Sequence, residues 1–329
     1  MTTVLVTGGC GFIGSHLCKA LIAQGNDVRI LDNLSSGSRA NLAPGATLQV
    51  DDINNSAALL RALEGVDACY HLAAIASVER CIHDWTGTHR INLSATIALL
   101  DAARERSIPV VYASSAAVYG DGGAAPLEET ARTAPLSAYG ADKLGCEQHA
   151  RVAGHVHGVP TAGLRFFNVF GPGQDPASPY SGVISIFCDR LRRGEPIDIF
   201  GDGTQTRDFV YVGDVVRALV AAMRVSSRLA PVLNVCTGRA ISVRELADVI
   251  GELSGMRPVI RLRTPRSGEI AHSVGSYTLA REALGLSVPV SLRAGLRQTL
   301  DWMDATEAAA FDRPLRAARF AGATAAASR

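Results

Sequence analysis

The first fifteen residues place three glycines at a fixed spacing between a short apolar run and a helical pattern. Residues 3–7 read as a strand, Gly8, Gly11 and Gly14 follow at intervals of three, and the helical pattern opens at Phe12. This order predicts a strand, a tight turn and a helix N-terminus in direct succession. The amide donors and positive dipole end of such a helix suit a pyrophosphate, which glycine lets the backbone approach closely. The turn therefore indicates dinucleotide binding, with contacts at Gly8, Gly11, Phe12, Ile13 and Gly14.

A carboxylate follows the next predicted strand at the position expected for ribose recognition. The strand of residues 27–31 ends at Asp32, eighteen residues after Gly14. An acid at this position accepts hydrogen bonds from an adenosine ribose. The stretch that begins at Asn33 has no adjacent arginine for a 2′-phosphate, although Arg39 is close enough in sequence to swing in. The pattern favours NAD over NADP, with Asp32 and Asn33 as contacts.

A tyrosine and a lysine four residues apart predict what is done with the dinucleotide. Tyr139 and Lys143 lie at the start of a long helical pattern, so both side chains project from one helical face. A nearby ammonium stabilises a phenolate, which makes tyrosine a usable proton-transfer group. Ser115 ends an earlier strand-like run, where open α/β sheets hold their ligands. We therefore predict Ser115, Tyr139 and Lys143 as the catalytic set.

The composition excludes several kinds of partner. The 329 residues are 47% hydrophobic and 19% charged with a formal net charge of +1, which is typical of a globular enzyme of one or two domains. There is no basic cluster and no apolar run of membrane-spanning length, so we expect neither a nucleic-acid nor a membrane partner. Seven cysteines at scattered spacings form no metal or disulfide pattern. We expect buried thiols, no metal and a cytoplasmic location.

Strand-like and helical runs alternate along the first half of the chain. Strands are predicted at 3–7, 27–31, 47–50, 68–72, 110–114 and 161–166, and helices at 12–24, 56–63, 88–106 and 138–157. This alternation predicts an α/β fold with a Rossmann-type doubly wound parallel sheet. After Asn168 the loops and short elements predict a smaller, discontinuous α/β substrate domain. We assign 1–169 and about 209–256 to the sheet domain, about 170–208 and 257–304 to the smaller domain, and 305–329 to a low-complexity tail.

Several further motifs occur in the order of a known family. They are Asp52-Ile53 after the third strand, His71-Leu72-Ala73-Ala74 on the fourth, and runs at 164–172, 200–203 and 207–212. With the glycine turn and the serine–tyrosine–lysine set, they cover the chain from residue 3 to about 302. Over this length the chain resembles the extended short-chain dehydrogenases/reductases, and within them the nucleoside-diphosphate-sugar 4-epimerases.

The resemblance implies a tightly bound NAD, recycled at each turnover, and a UDP-sugar substrate. It implies that the sugar 4-hydroxyl is oxidised to a transient 4-ketone, which turns over and is reduced on its other face. Further cofactor contacts are implied at Asp52, Ile53, Leu72, Ala73, Ala74, Asn92, Tyr139, Lys143 and Phe166. Substrate contacts are implied at Ser115, Tyr139, Asn168, Val183, Phe200, Arg207, Arg266, Glu269 and Ser273.

The residues after Ser115 bear on the type of reaction. Family members that dehydrate or decarboxylate the sugar carry an acid there, whereas Ala116 and Ala117 have no titratable group. This favours plain epimerisation. One departure from the family is Ala76, at a position where some epimerases place a lysine near the nicotinamide.

Two alternatives remain open. A UDP-uronic acid 4-epimerase would need a cation near C6 of the sugar, where Gln174 and Asp175 offer none. A non-catalytic NAD(H)-binding sensor would have no need of Tyr139 and Lys143.

The resemblance also bears on substrate size and assembly. In this family the position of Ser273 faces the sugar 2-substituent, and a tyrosine there restricts the enzyme to plain hexoses. Serine therefore predicts UDP-GlcNAc and UDP-GalNAc as substrates beside UDP-glucose and UDP-galactose. A homodimer is implied through helices near 92–106 and 139–155, which carry the apolar residues Ile97, Leu99, Leu100 and Val152.

Overall fold

The fold is described by a computed structural model over residues 1–176, 178, 182–265 and 270–307. Its strands are β1 (Thr3–Thr7), β2 (Asp27–Asp32), β3 (Thr47–Val50), β4 (Ala68–His71), β5 (Val110–Ser115), β6 (Thr161–Phe166), β7 (Asn168–Phe170), β8 (Ile197–Phe200), β9 (Thr206–Arg207), β10 (Phe209–Tyr211), β11 (Val232–Val235), β12 (Ile241–Ser242), β13 (Ile260–Arg263) and β14 (His272–Ser273). Its helices are α1 (Phe12–Ala23), α2 (Ser56–Leu63), α3 (Val78–His83), α4 (Trp85–His89), α5 (Ala95–Ala103), α6 (Ala138–His157), α7 (Val183–Arg192), α8 (Val212–Ala222), α9 (Val243–Ser254) and α10 (Thr278–Leu284), with a last helical run over 292–307.

Seven strands form the central sheet, and they all run parallel. Their order is β11-β6-β5-β4-β1-β2-β3, so the winding of the chain reverses between β1 and β4. Ligands of such sheets bind outside the carboxyl ends of the strands, at this reversal. The predicted Rossmann-type α/β sheet is confirmed.

Each face of this sheet has its own hydrophobic core. In β1, Val4 and Val6 belong to the core formed with α1 and α8, whereas Leu5 belongs to the core formed with α2, α5 and α6. Successive strand residues point to opposite faces, so a strand covered on both sides must be apolar throughout. This requirement is why the short apolar runs of the first half could be recognised as strands.

The smaller sheets surround a third core. β8 pairs with β13, β9 lies between β12 and β14, and β7 pairs with β10. The predicted sheet domain of 1–169 and about 209–256 includes residues 243–254, but α9 packs against α7 and β8, and its Leu246 and Ile250 are buried in this third core. An amphipathic pattern indicates a helix at these residues but not which surface the helix covers. The other domain boundaries stay predictions.

The predicted helix at 88–106 is interrupted. α4 ends at His89, a π-helical turn spans Arg90–Ser94, α5 ends at Ala103 and a 3₁₀ turn spans Arg104–Arg106. The apolar periodicity continues across these changes, so the sequence indicated one helix. Short π-helical turns frequently occur at functional sites.

The cysteines are buried and free, as predicted. Burial raises the pKa of the Cys10 thiol to about 11 and that of Cys18 to about 12, which keeps both protonated at neutral pH. Within the described ranges, no helix has the length and apolar character needed to cross a bilayer. The predicted tail lies outside the described residues from 308 onward.

Candidate active site

A cleft of about 440 Å³ opens at the carboxyl ends of the central strands. Predicted cofactor contacts line it at Gly8, Gly11, Phe12, Ile13, Gly14, Asp32, Asn33, Asp52, Ile53, Leu72, Ala73, Ala74, Tyr139, Lys143 and Phe166. The predicted substrate contacts Ser115, Asn168 and Val183 line the same cleft. The fold therefore brings the glycine turn and the serine–tyrosine–lysine set into one cavity.

The glycine turn is a cradle in which side chains would collide with backbone. Gly8 has a φ of +71°, and a Cβ there would lie 2.8 Å from the amide nitrogen of Ala73. A Cβ on Gly14 would lie 2.2 Å from the carbonyl oxygen of Gly8. Gly11 begins α1 without a side-chain cap, and the first turn has no acidic residue. The positive end of α1 thus faces the cleft uncompensated, which fits the pyrophosphate of a dinucleotide.

Asp32 is fixed at the end of β2, where the cleft begins. Its Oδ2 accepts the Cys10 amide at 2.9 Å and its Oδ1 accepts the Leu34 amide at 2.8 Å. The side chain is 8% exposed and lines the cleft. The neighbouring Asn33 donates from Nδ2 to Asp52 at 3.1 Å. Among the described residues that line the cleft there is no arginine, which fits an unphosphorylated ribose beside Asp32.

Tyr139 and Lys143 are presented by the first turns of α6. Ser137 caps this helix, its Oγ accepting the Gly140 amide at 3.1 Å. Lys143 is 3% exposed, donates from Nζ to the carbonyl of Ala113 at 2.9 Å, and lies 5.9 Å from the Tyr139 ring centroid. Ser115 Oγ accepts the Ala117 amide at 3.2 Å. The arrangement offers a phenol, an ammonium and a hydroxyl to the same volume.

His71 lies buried behind this set, at the end of β4. Its Nδ1 is 2.7 Å from Thr7 Oγ1 and its Nε2 is 2.9 Å from Thr96 Oγ1. Thr7 Oγ1 accepts the Ala73 amide, and Thr96 Oγ1 donates to the Asn92 carbonyl. This chain of bonds assigns the proton to Nε2 of a neutral imidazole. Burial, assisted by the charge of Lys143, lowers the pKa of His71 to about 3.

The predicted contact Asn92 has a different position from the one expected. It does not line the cleft; its Oδ1 accepts the Ile75 amide at 2.7 Å and its Nδ2 donates to the Ile75 carbonyl at 3.2 Å. Asn92 therefore holds the loop after β4, whose residues Ala74, Ile75 and Ala76 line the cleft. A buried amide can satisfy a loop backbone as well as a ligand, and the sequence does not distinguish the two.

The predicted sugar-binding residues are only partly brought together. Arg207 and Ser273 are register partners across β9 and β14, and Phe200 ends β8, but none of the three lines the cleft. Asp208 joins this region to the sheet, because its buried carboxylate accepts the amides of Thr237 and Gly238. Burial raises the pKa of Asp208 despite these bonds. Arg266 and Glu269 lie outside the described residues.

Several residues that were not predicted as contacts also line the cleft. They include Ile75, Ser114 and Ser178, together with Gln174 and Asp175, the pair that bears on the uronic acid alternative. Among the described lining residues, Lys143 is the one cation, and Asp32, Asp51, Asp52 and Asp175 are the carboxylates. The hydroxyl of Ser114 is hydrogen-bonded to Glu147, which follows Lys143 by four residues. The four-residue spacing of Tyr139, Lys143 and Glu147 is the sequence signal that places Glu147 on the same helix face as the predicted catalytic residues.

The parallel sheet, the glycine cradle and the tyrosine–lysine–serine set define a dinucleotide-dependent enzyme. Residues 4–236 match the model of the NAD dependent epimerase/dehydratase family. The chain belongs to this family, and its cofactor is NAD. A UDP-glucose 4-epimerase of Mycolicibacterium smegmatis is 35% identical over 306 residues, which cover 91% of this chain and 97% of that protein.

Solved structures of similar proteins agree in fold. The UDP-glucose 4-epimerase of Thermotoga maritima, solved with UDP-glucose, is 36% identical with a TM-score of 0.89, covering 93% of this chain and 99% of that one. The UDP-N-acetylglucosamine 4-epimerase of Methanobrevibacter ruminantium, in complex with UDP-N-acetylmuramic acid, is 34% identical with a TM-score of 0.87 and the same coverage. The likeness extends over nearly the whole described chain.

Proposed function

We propose that the protein is an NAD-dependent 4-epimerase of UDP-hexoses. The observation that carries this proposal is the meeting of Tyr139, Lys143 and Ser115 in the cleft that contains the glycine cradle. Ala116 and Ala117 follow Ser115, so the acid that dehydration or decarboxylation would require is missing at this point. The similarity to UDP-sugar 4-epimerases, which extends over more than nine tenths of both chains, supports the same assignment.

The residues of the cleft divide the work of a reversible oxidation at C4. When bound, NAD supplies a reversible hydride acceptor; the protein supplies placement and proton transfer. Tyr139 takes the proton of the 4-hydroxyl and later returns it. Lys143 stabilises the phenolate electrostatically and binds the nicotinamide ribose, and Ser115 relays the proton. Because Lys143 is buried and anchored to Ala113, its charge is held close to the Tyr139 ring.

Cofactor retention follows from the same residues. The cradle of Gly8, Gly11 and Gly14 holds the pyrophosphate, and Asp32 accepts hydrogen bonds from the adenosine ribose. Asp52 and Ile53 flank the adenine. A reaction that restores NAD in each cycle has no need to release it, so we expect the purified protein to contain NAD(H).

The UDP moiety must be gripped while the sugar stays free to turn over. We assign this grip to Asn168, Arg207 and Arg266, with Val183, Phe200 and Glu269 as further contacts. Guanidinium groups match the geometry of phosphate oxygens, which supports the two arginines. Among the members of this set that the structure describes, Asn168 is the polar one that lines the cleft.

The range of sugars is the finer part of the proposal. By the family resemblance, residue 273 faces the sugar 2-substituent, where a serine would leave room for an N-acetyl group, so we propose UDP-GlcNAc and UDP-GalNAc as substrates beside UDP-glucose and UDP-galactose. The similar proteins include epimerases named for both kinds of sugar. A 6-carboxylate is disfavoured, because Asp175 lines the cleft and Lys143, already engaged by Ala113, is the cation among its described lining residues.

A homodimer is proposed through α5 and α6. Ile97 and Val152 are 37% and 50% exposed, whereas Leu99 and Leu100 are buried and serve to pack the core of the subunit. The exposed pair supports an interface that α5 and α6 of two protomers form together. We expect the protein to be cytoplasmic. A dimeric mass by light scattering at micromolar concentration is expected, and a monomeric mass would contradict the interface.

Turnover of a panel of UDP-sugars tests the function. Purified protein without added cofactor should bring UDP-galactose and UDP-GalNAc to equilibrium with their C4 epimers. Conversion of UDP-glucuronic acid alone would favour the uronic acid alternative. Retention of NAD without conversion of any sugar would favour the non-catalytic sensor.

A further inference from the structure

The active face of α6 continues one turn beyond the lysine. Tyr139, Lys143 and Glu147 are spaced by four residues, so their side chains form one row along the helix. Lys143 donates to the carbonyl of Ala113 at 2.9 Å, and Glu147 Oε1 accepts the hydroxyl of Ser114 at 2.5 Å. Two successive residues at the tip of β5 are therefore tied to two successive turns of α6. The next residue of β5 is Ser115.

Glu147 is also paired with an arginine of the neighbouring strand. Arg165 donates from Nε to Oε1 at 2.9 Å and from Nη2 to Oε2 at 2.8 Å, and the two side chains are 7% and 5% exposed. Arg165 is the register partner of Ser114 across β5 and β6. The carboxylate is thus held in a fixed plane beside the β5 tip, since a bidentate pair with arginine restricts both groups.

This pairing determines the direction of the Ser114 hydrogen bond. An ionised carboxylate accepts but does not donate, and a serine hydroxyl has one proton to give. Ser114 must direct that proton to Glu147. The Ser114 side chain is therefore turned toward α6, and the residue is only 1% exposed although it borders the cleft.

The same network reaches the segment that follows Ser273. Arg165 donates from Nη1 to the Tyr119 hydroxyl at 2.8 Å, and Tyr119 donates to Asn234 Oδ1 at 2.7 Å. Asn234 in turn donates from Nδ2 to the carbonyls of Leu127 and Ser276, at 2.9 and 3.3 Å. The β5 tip is therefore connected through polar contacts to Ser276, three residues beyond Ser273, the residue proposed to face the sugar 2-substituent.

We infer that Glu147 is a positioning residue of the active site, acting through Ser114 to fix the β5 tip and with it the adjacent Ser115. This inference rests on the proposed function for its kinetic consequences. Its geometric consequence, the orientation of Ser114, does not depend on that function.

A double-mutant cycle separates positioning from mere structural support. We expect Glu147→Gln and Ser114→Ala each to lower kcat by about 10- to 100-fold, with KM for UDP-galactose changed much less. If Glu147 acts through Ser114, the kcat of the double variant should lie within about twofold of the kcat of the less active single variant. Additive losses, or an unchanged kcat in Glu147→Gln, would overturn the inference.

The matched control is another buried carboxylate away from the cleft. Asp214 accepts the Val290 amide at 2.8 Å and pairs with Arg217. Asp214→Asn should lower thermal stability while leaving kcat within about twofold of wild type. Should Glu147→Gln alone not fold, Glu147→Gln with Arg165→Gln removes both charges together and should show the same loss of kcat. An unchanged kcat in this pair would also overturn the inference.

A crystal structure of Glu147→Gln provides the readout that is independent of turnover. We expect the Ser114 side chain to leave its wild-type rotamer or the Ser115 hydroxyl to shift; an unmoved tip would contradict the inference. If the wild-type enzyme converts no UDP-sugar, the proposed function fails, and this structural comparison still decides the role of Glu147.

Discussion

The cofactor side and the sugar side of the cleft are built in different ways. The cofactor side is assembled from the ends of β1, β2, β4 and β5 in one continuous sheet, so a few local motifs define it. On the sugar side, the cleft is lined by β7, residues after it and Phe209 of β10, whereas the predicted contacts Arg207 and Ser273, on β9 and β14, do not line it. The buried Asp208 connects this region to the sheet. A sheet edge carries its residues to one place by register, whereas separated loops do so only through tertiary contacts. The type of reaction can therefore be predicted from the sequence more readily than the substrate.

The largest effect should come from the proton-transfer group on the cofactor side. Tyr139→Phe removes the phenol and leaves the ring, so we expect kcat to fall by about 10²- to 10⁴-fold while NAD stays bound. Steady-state turnover of UDP-galactose and the cofactor content of the purified variant measure the two effects. Tyr211→Phe, which loses a hydroxyl bonded to Gln298 outside the cleft, is the control. Near-normal turnover in Tyr139→Phe would remove this residue from the mechanism.

A smaller effect is expected at the ribose. Asp32→Ala removes a charged acceptor, and hydrogen bonds to charged groups contribute about 1.5–3 kcal/mol, which corresponds to roughly 10- to 150-fold weaker NAD retention. Asp27, at the opposite end of the same strand, provides the matched control, and Asp27→Ala should retain NAD normally. Equilibrium titration of cofactor-stripped protein gives both affinities. Equal retention in the two variants, or a preference for NADP, would contradict the assignment.

These two residues illustrate how far the sequence could predict the site. Gly8 follows β1, Asp32 ends β2, and Tyr139 and Lys143 lie in the first turns of α6, so strand and helix patterns predicted their positions, and all four line the cleft. Asn92, assigned to the cofactor by resemblance, lies in a π-helical turn and hydrogen-bonds to the Ile75 backbone instead of lining the cleft. Short strands such as β9 and β14 span two residues each, too few to show a periodicity.

A substitution on the sugar side should have a smaller effect on catalysis. Ser273→Tyr should fill the space for a 2-substituent and reduce kcat/KM for UDP-GalNAc by about tenfold or more, since overpacking typically costs about 1–3 kcal/mol. UDP-galactose, which carries only a hydroxyl at C2, is the internal control and should be spared. Initial rates with both sugars decide the matter. Equal loss on both, or no change, would reject Ser273 as the gate.

The smallest effect concerns the stability of the cofactor side. The unfolded chain protonates His71 near its ordinary pKa of 6.5, but the folded protein does not until the pH reaches about 3. Stability is therefore fully present above pH 6.5 and is lost progressively as the pH falls toward 3. Between pH 6.5 and 5.5 this linkage should remove about 1 kcal/mol. Denaturant titrations should show a shallower pH slope for His71→Gln than for wild type; identical slopes would contradict a neutral buried imidazole.

The central claim is that C4 is inverted by removing and returning the same hydrogen. Conversion of UDP-galactose in D₂O, without added NAD, tests this most directly, with the product analysed by mass spectrometry and NMR. The account predicts UDP-glucose that carries no deuterium on any ring carbon, because the C4 hydrogen never exchanges with solvent and Ala116 and Ala117 carry no group that could remove a proton from C5. Deuterium at C4 or C5 of the product would contradict it.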